Sequence, residues 1–461
     1  MQDITLSFEK GTKPLYEQLY LYIAEEIRSG RLDEHTRLPS KRAMVKHLHV
    51  SLNTVESAYQ MLVSEGYVTA EPRRGYFVRQ VQPLPARKTP PPGEKKQESA
   101  PTAPLFDLST SSVDSGLFPF KLWARLMRET LQRTPDLLKK GDARGDRELL
   151  STLSQFLYQY RGVRASPDAL LIGAGVDYLL YVLFCLLPKG VVVAAEDPGY
   201  QGAYRLGQRH GAKVVPLPMD EQGIRMDALE QSGAGVVFVT PSHQFPLGLT
   251  MPVGRRAALI KWAQRQNAYI VEDDYDSEFR HLSRPIPALQ GLGGQENVIY
   301  IGTFSRSLAP SMRIAYMVLP SALMARWRVL FKQGGDTVSR FEQQTLARFI
   351  EGGHYARHLR RAGIVYARRC RALCAALLAA LPEARIRGAE AGLHFLITYP
   401  PLSSHEMAER AAKKGLHVQP LDAYCHLAQP PASTVLMGYA GLRDDQVQEV
   451  AQALKEAWLT A

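Results

Sequence analysis

The chain has 461 residues, more than one ordinary domain holds, and its balance of 45% hydrophobic to 22% charged residues excludes a disordered or fibrous protein. A net charge of +11 and a pI near 9.4 favour a polyanionic partner only weakly. Four cysteines without paired spacing (Cys185, Cys370, Cys374, Cys425) exclude a disulfide scaffold and offer no metal-ligand pattern; they indicate a reducing, cytoplasmic setting.

The first residues, MQDITLSFEKG, are polar, so no secretory leader is expected. Leu15, Leu19, Ile23 and Ile27 recur at steps of four and predict one apolar helix face within 14–29, stopped by Gly30. Ser40 reads as the N-cap of a helix over 41–48, and Ser51 as that of a helix over 52–65 ended by Gly66. Strand-like runs at 67–70 and 76–79 flank Glu71-Pro-Arg-Arg-Gly75, a hairpin turn with two cations at its tip.

Two capped helices joined at His49-Val50 and followed by a hairpin predict a winged helix-turn-helix over 1–79. The helix that Ser51 caps can enter a major groove and offer Asn53 and Thr54 to bases or phosphates. Arg42 and Lys46 on the preceding helix suit backbone phosphates. Arg73 and Arg74, beside Gly75 at the wing tip, suit the adjacent groove. Residues 1–79 hold 11 Lys+Arg against 10 Asp+Glu, and 37–79 hold 7 against 3, so the positive charge is local. The competing reading is a helical docking domain whose charges are merely solvated.

The stretch 80–105 is rich in Pro, Lys, Glu and Ser, nearly free of large apolar residues, and reads as a flexible linker. Beyond it, 106–461 alternates short apolar runs with helical sequence. The runs at 170–173, 191–195, 235–240, 269–272 and 298–302 predict an α/β domain with a mostly parallel sheet. The apolar stretch 169–187 is interrupted by Gly173, Gly175 and Asp177, which favours a strand, a turn and a buried helix over a membrane span.

The wording of the first domain (Leu38-Pro-Ser-Lys-Arg-Ala, Val50-Ser-Leu-Asn-Thr-Val-Glu-Ser-Ala-Tyr59, Leu62-Val-Ser-Glu-Gly-Tyr67-Val, Arg74-Gly-Tyr-Phe-Val78) resembles the winged helix of GntR-type bacterial repressors. Leu52 stands where that family often has arginine, which leaves operator sequence open. The larger region resembles fold-type I aminotransferases, with a large sheet domain and a smaller C-terminal α/β domain. The motifs carrying this, in order, are Leu117-Phe-Pro, Gly141-Asp-Ala-Arg-Gly-Asp-Arg-Glu-Leu149, Glu196-Asp-Pro-Gly-Tyr200, Thr240-Pro-Ser-His-Gln-Phe-Pro-Leu-Gly248, Glu272-Asp-Asp-Tyr-Asp-Ser-Glu-Phe-Arg280, Tyr300-Ile-Gly-Thr-Phe-Ser-Arg306 and Ala391-Gly-Leu-His394. Together the two halves resemble the MocR/GabR-type regulators across nearly the whole chain.

That resemblance implies a pyridoxal 5'-phosphate pocket. Gly175, Val176 and Asp177 join a strand to a helix whose positive end can receive the phosphate, with Ser305 and Arg313 as further phosphate ligands. Asp273 would pair with the pyridine nitrogen, Tyr275 with the ring hydroxyl, and Tyr200 would stack on the ring. The position of the Schiff-base lysine is Arg306. A guanidinium stays protonated and its nitrogen lone pairs are delocalised, so it cannot form an imine. Gln244-Phe-Pro-Leu-Gly248 replaces the Asn-Pro-Thr-Gly of enzymes. The expectation is a cytoplasmic, homodimeric regulator of a double-stranded DNA operator. Its small-molecule effector would be pyridoxal phosphate, held non-covalently or lost, or an amine or amino acid. Two alternatives stand beside it: an aminotransferase with a DNA-binding appendage, and a ligand-blind dimeric DNA binder.

Overall fold

The computed structural model describes Leu6, Phe8 and residues 13–79, 104–133, 135–280, 286–429 and 432–459. The chain falls into two compact units divided between 102 and 103. Of the expected linker 80–105, all but Pro104 and Leu105 lies outside the described residues.

The first unit is built from α1 (Leu15–Arg28), α2 (Lys41–Leu48) and α3 (Leu52–Ser64), then the antiparallel hairpin β1 (Val68–Glu71) and β2 (Gly75–Val78). The step-of-four face of α1 buries Leu19, Ile23 and Ile27 against Val55, Ala58, Tyr59 and Leu62 of α3. Leu15 starts the same face but is 42% exposed. Ser40 accepts the Ala43 N–H and Ser51 the Thr54 N–H, so both serines act as N-caps. His49 takes a left-handed conformation (φ 54) and turns the chain between α2 and α3. The segment before α2 adds to the hairpin: His35 N–H donates to the Val78 carbonyl and Leu38 N–H to that of Tyr76.

The second unit opens with a short strand, β3 (Phe106–Asp107), and then forms one large sheet. Its strands are β4 (Leu170–Gly173), β5 (Val192–Asp197), β6 (Lys213–Asp220), β7 (Gly223–Ile224), β8 (Val236–Val239), β9 (Tyr269–Asp274), β10 (Val298–Thr303) and β11 (Ala315–Val318). They lie in the order β4-β11-β10-β9-β8-β5-β6-β7. The run from β10 to β6 is parallel; β11 and β7 run against their neighbours. β4, β8, β10 and β11 are buried at every position, as strands covered by helices on both faces must be. β6 and β11 are absent from the strand-like runs read off the sequence. β6 carries Pro216 and Pro218, which break the strand pattern and are accommodated next to the short edge strand β7.

A second sheet, antiparallel throughout, orders Arg385–Arg387, His394–Thr398, Thr434–Gly438 and Gln419–Pro420. β3 pairs with Leu416–His417, so the start of this unit is tied to its C-terminal part. Among the described residues no helix is long and apolar enough to cross a membrane.

Candidate functional sites

On the first unit, Arg42, Lys46, Ser51 and Asn53 are exposed around the α2–α3 turn, while Thr54 is half-buried. The Thr54 hydroxyl lies 2.8 Å from Ser51 Oγ, so one of its hydrogen-bonding positions is used within the cap. Leu52 is 48% exposed on the same first turn. At the wing tip Arg73 and Arg74 are both exposed; Arg74 also ion-pairs with Glu71 and lies 5.6 Å from the Phe77 ring centroid. Glu71 thereby offsets part of the wing charge at the surface. Sequence reasoning missed Arg37, an exposed cation whose guanidinium packs beside half-buried Gly75. Its only signal is pairing with β2, which requires the fold. Lys41 is 2.5 Å from Glu56 and joins α2 to α3.

In the second unit, a cavity of about 400 Å³ opens where the parallel strands of the large sheet end. Val176, Asp177, Tyr200, Asp273, Tyr275, Ser305, Arg306 and Arg313 all line it. Gly175 stands behind its wall at φ +92, a backbone conformation that favours glycine, and a Cβ there would meet the Arg313 guanidinium at 2.6 Å. The helix Val176–Leu186 starts at this wall, and its first-turn N–H groups have no intrahelical acceptor. Arg313, itself left-handed at φ 51, reaches the Ala174 carbonyl at 3.5 Å. Helix terminus, Ser305 and Arg313 together line one part of the cavity with hydrogen-bond donors, a set chemically able to receive an anion.

Glu272, Asp273 and Asp274 end β9 in sequence, and strand alternation separates them. Glu272 accepts N–H groups of Leu289 and Gln290. Asp274 pairs with buried Arg161 at 2.7 Å and accepts the Tyr300 hydroxyl, which hold it below its ordinary value despite burial. Asp273 alone faces the cavity. Its Oδ1 is buried without a partner, and burial, with Asp274, Asp276 and Glu196 nearby, pushes its pKa up to about 8. Glu196 is pushed to about 7 by burial, while accepting from Thr240 and Gln244. The Gln244 amide is thus directed at Glu196 and the Pro198 and Phe245 carbonyls.

The Tyr200 ring stacks on Phe238, and its hydroxyl donates to Asp177. The Tyr275 hydroxyl lies 3.1 Å from His243 Nδ1, which is 2.9 Å from Asp276 Oδ2. A ring proton drawn to Nδ1 by that carboxylate leaves Tyr275 free to donate its own into the cavity. His243 and Asp276 were missed from sequence, although both lie within motifs quoted above. With His394 they place three buried ligand atoms within 4.8 Å, the one such cluster among the described residues. The sequence points to no metal; a Cβ on Gly392 would fall 2.1 Å from the His243 ring, and this close packing fits support of Tyr275. Tyr424, also missed, lines the cavity from the C-terminal segment. Asp197 ties that segment to β5 by accepting the N–H groups of His426, Leu427 and Ala428.

Arg306 is half-buried, with Nη1 shut from solvent and unpartnered. Burial lowers its pKa, and Tyr275, Asp276, Tyr200 and Asp273 offset part of that.

A winged helix on one unit and an aminotransferase-type fold on the other define a DNA-binding regulator of two-part build. Residues 15–78 match the family described as bacterial regulatory proteins, gntR family. The chain is 38% identical to the HTH-type transcriptional regulator YdeL of Bacillus subtilis, over 96% of this chain and 97% of that one. It is 33% identical to MocR of Rhizobium meliloti, named as a probable rhizopine catabolism regulatory protein, over 97% and 94%. Among solved structures, the second unit is similar to Pyrococcus horikoshii kynurenine aminotransferase in complex with PMP. That match has a TM-score of 0.68 and 26% identity, and covers 78% of this chain and 93% of that one. An archaeal alanine:glyoxylate aminotransferase shares the fold at a TM-score of 0.72 and 23% identity, over 78% and 92%. The chain belongs to the MocR-type family of HTH-type transcriptional regulators, and its function is DNA-binding transcription regulation.

Proposed function

We propose that this regulator is a cytoplasmic homodimer whose aminotransferase-like domain holds pyridoxal 5'-phosphate without a covalent bond and couples its occupancy to operator binding. Asp273 carries the reading. It is a buried carboxyl with a raised pKa and an unpartnered oxygen, positioned to share one proton with a ring nitrogen. The helix start at Val176, with Ser305 and Arg313, would hold the phosphate. Tyr275 would donate to the ring hydroxyl and Tyr200 would flank the ring. When bound, the cofactor brings an amine-reactive aldehyde and an electron-withdrawing ring. Arg306 supplies no nucleophilic amine to that aldehyde, so the chain is read as a sensor and not an enzyme. DNA contact is assigned to Arg42, Lys46, Asn53, Arg73 and the capped α3 terminus.

Titration of the purified full chain with pyridoxal 5'-phosphate, followed by absorbance and calorimetry, tests this. Saturable binding is expected, with the ligand fully removed by dialysis after borohydride treatment. Its addition should also change affinity for a duplex selected from a random-sequence pool. Absence of saturable binding would remove the cofactor from the reading and leave a ligand-blind regulator. By sedimentation the full chain and a 106–461 fragment should be dimers at micromolar concentration and a 1–79 fragment a monomer; a monomeric 106–461 would overturn the dimer assignment.

A further inference from the structure

A buried carboxyl and a guanidinium face one cavity without pairing with each other. Asp273 Oδ1 and Arg306 Nη1 are both buried and unpartnered, and both residues line the same walls. Among the described residues the Arg306 guanidinium makes no ion pair, although Asp276 and Asp273 lie close enough to influence it. A guanidinium cannot relieve its burial by losing a proton, as a lysine can. Leaving it unpaired is costly, so a ligand that brings an oxygen acceptor to it gains, and one that brings a second cation loses. Its planar fork matches a carboxylate best, through two parallel hydrogen bonds.

The geometry points to a ligand recognised at three places: an anionic ester in the Ser305–Arg313 cradle, a ring N–H at Asp273, and an oxygen-bearing substituent, best a carboxylate, at Arg306. This rests on the pyridoxal phosphate reading above. There, a residue at 306 adjoins the carbon that bears the aldehyde, so selectivity falls on that substituent. The pocket therefore ranks a 4-carboxylate first, an aldehyde second and an aminomethyl cation last. Arg306 converts a site that in enzymes cycles between aldehyde and amine into one that reports the oxidised side and rejects the amine.

Calorimetry of the full chain with 4-pyridoxic acid 5'-phosphate, pyridoxal 5'-phosphate and pyridoxamine 5'-phosphate tests the ranking without reference to activity. The carboxylate is expected to bind roughly tenfold or more tighter than the amine, the effect of one charge-assisted hydrogen bond gained against one like charge met. In Arg306→Met the three should converge to within about threefold. Equal binding of all three by the unaltered protein, or an amine that binds best, overturns this inference and leaves the cofactor reading standing. So does a ranking that survives Arg306→Met. If none of the three binds, both fall. Should Arg306→Met fail to fold, the ranking by the unaltered protein decides alone.

Discussion

In the N-terminal unit, the residues assigned to DNA lie between Arg42 and Gly75, mostly exposed, on a hairpin and two helices that adjoin in sequence. The cavity of the second unit draws instead on residues from Thr110 to Tyr424, many of them at the ends of strands, and two of its polar atoms are shut from water. The first presents charges that solvent already satisfies. The second presents polar atoms, Asp273 Oδ1 and Arg306 Nη1, that nothing among the described residues satisfies. A surface of the first kind costs the fold almost nothing, whereas a pocket of the second kind holds the unit below the stability its core would allow until a ligand completes it.

The widest departure from this contrast comes from Arg306→Lys. With pyridoxal phosphate the variant should gain a visible absorbance band and a borohydride-fixed adduct at 306, both absent in the unaltered protein. A variant that stays colourless in excess cofactor would mean that the pocket's buried groups serve no such ring. Next in size is Asp273→Asn. It should raise the ligand-free stability by about 1–3 kcal/mol in thermal unfolding, while the gain on adding pyridoxal phosphate largely disappears. The pH dependence fixes the sign. Asp273 has a folded pKa of about 8 against an ordinary 3.8, so the folded state binds the extra proton between those values. Its contribution is complete below about pH 4 and is lost as pH rises through about 8, and Asp273→Asn should flatten that fall. An unchanged slope would remove Asp273 as its source.

On the exposed side the effects are smaller. Arg73→Ala should reduce the salt slope of binding to a selected duplex by about one unit, and Arg74→Ala by less, because Glu71 already counters it. Equal losses would show that DNA pulls Arg74 off the wing. Smallest of all, Ser51→Ala should cost about 1 kcal/mol of the N-terminal unit's stability, read by denaturant unfolding, through the lost cap on α3.

The same contrast explains what could be read from sequence. α1, α2 and α3 follow from apolar spacing and serine caps, which are local signals, and their bounds in the structure differ from the sequence reading by about one residue. The cavity residues were legible through motifs, yet their partners were not. Nothing local shows that Thr54 caps with Ser51, that Arg74 returns to Glu71, or that His243 and Asp276 stand behind Tyr275. Those facts arise from which side chains a fold sets face to face. Arg37 was invisible for the same reason, since it joins the wing only by pairing against β2.

The three acids that end β9 carry a consequence beyond the pocket. Their roles differ only by parity along the strand, with odd Asp273 toward the cavity and even Glu272 and Asp274 toward internal donors. A slip of β9 by a single residue would turn two carboxylates into the ligand space and aim the third at Arg161. Such a shifted chain would contain every residue of the site in nearly every position, yet would line the cavity with two carboxylates in place of one. Five paired positions with β10, from Val298 opposite Ile270 to Gly302 opposite Asp274, stand against that slip. The ladder of an ordinary parallel strand thereby decides which of three neighbouring acids the cavity meets.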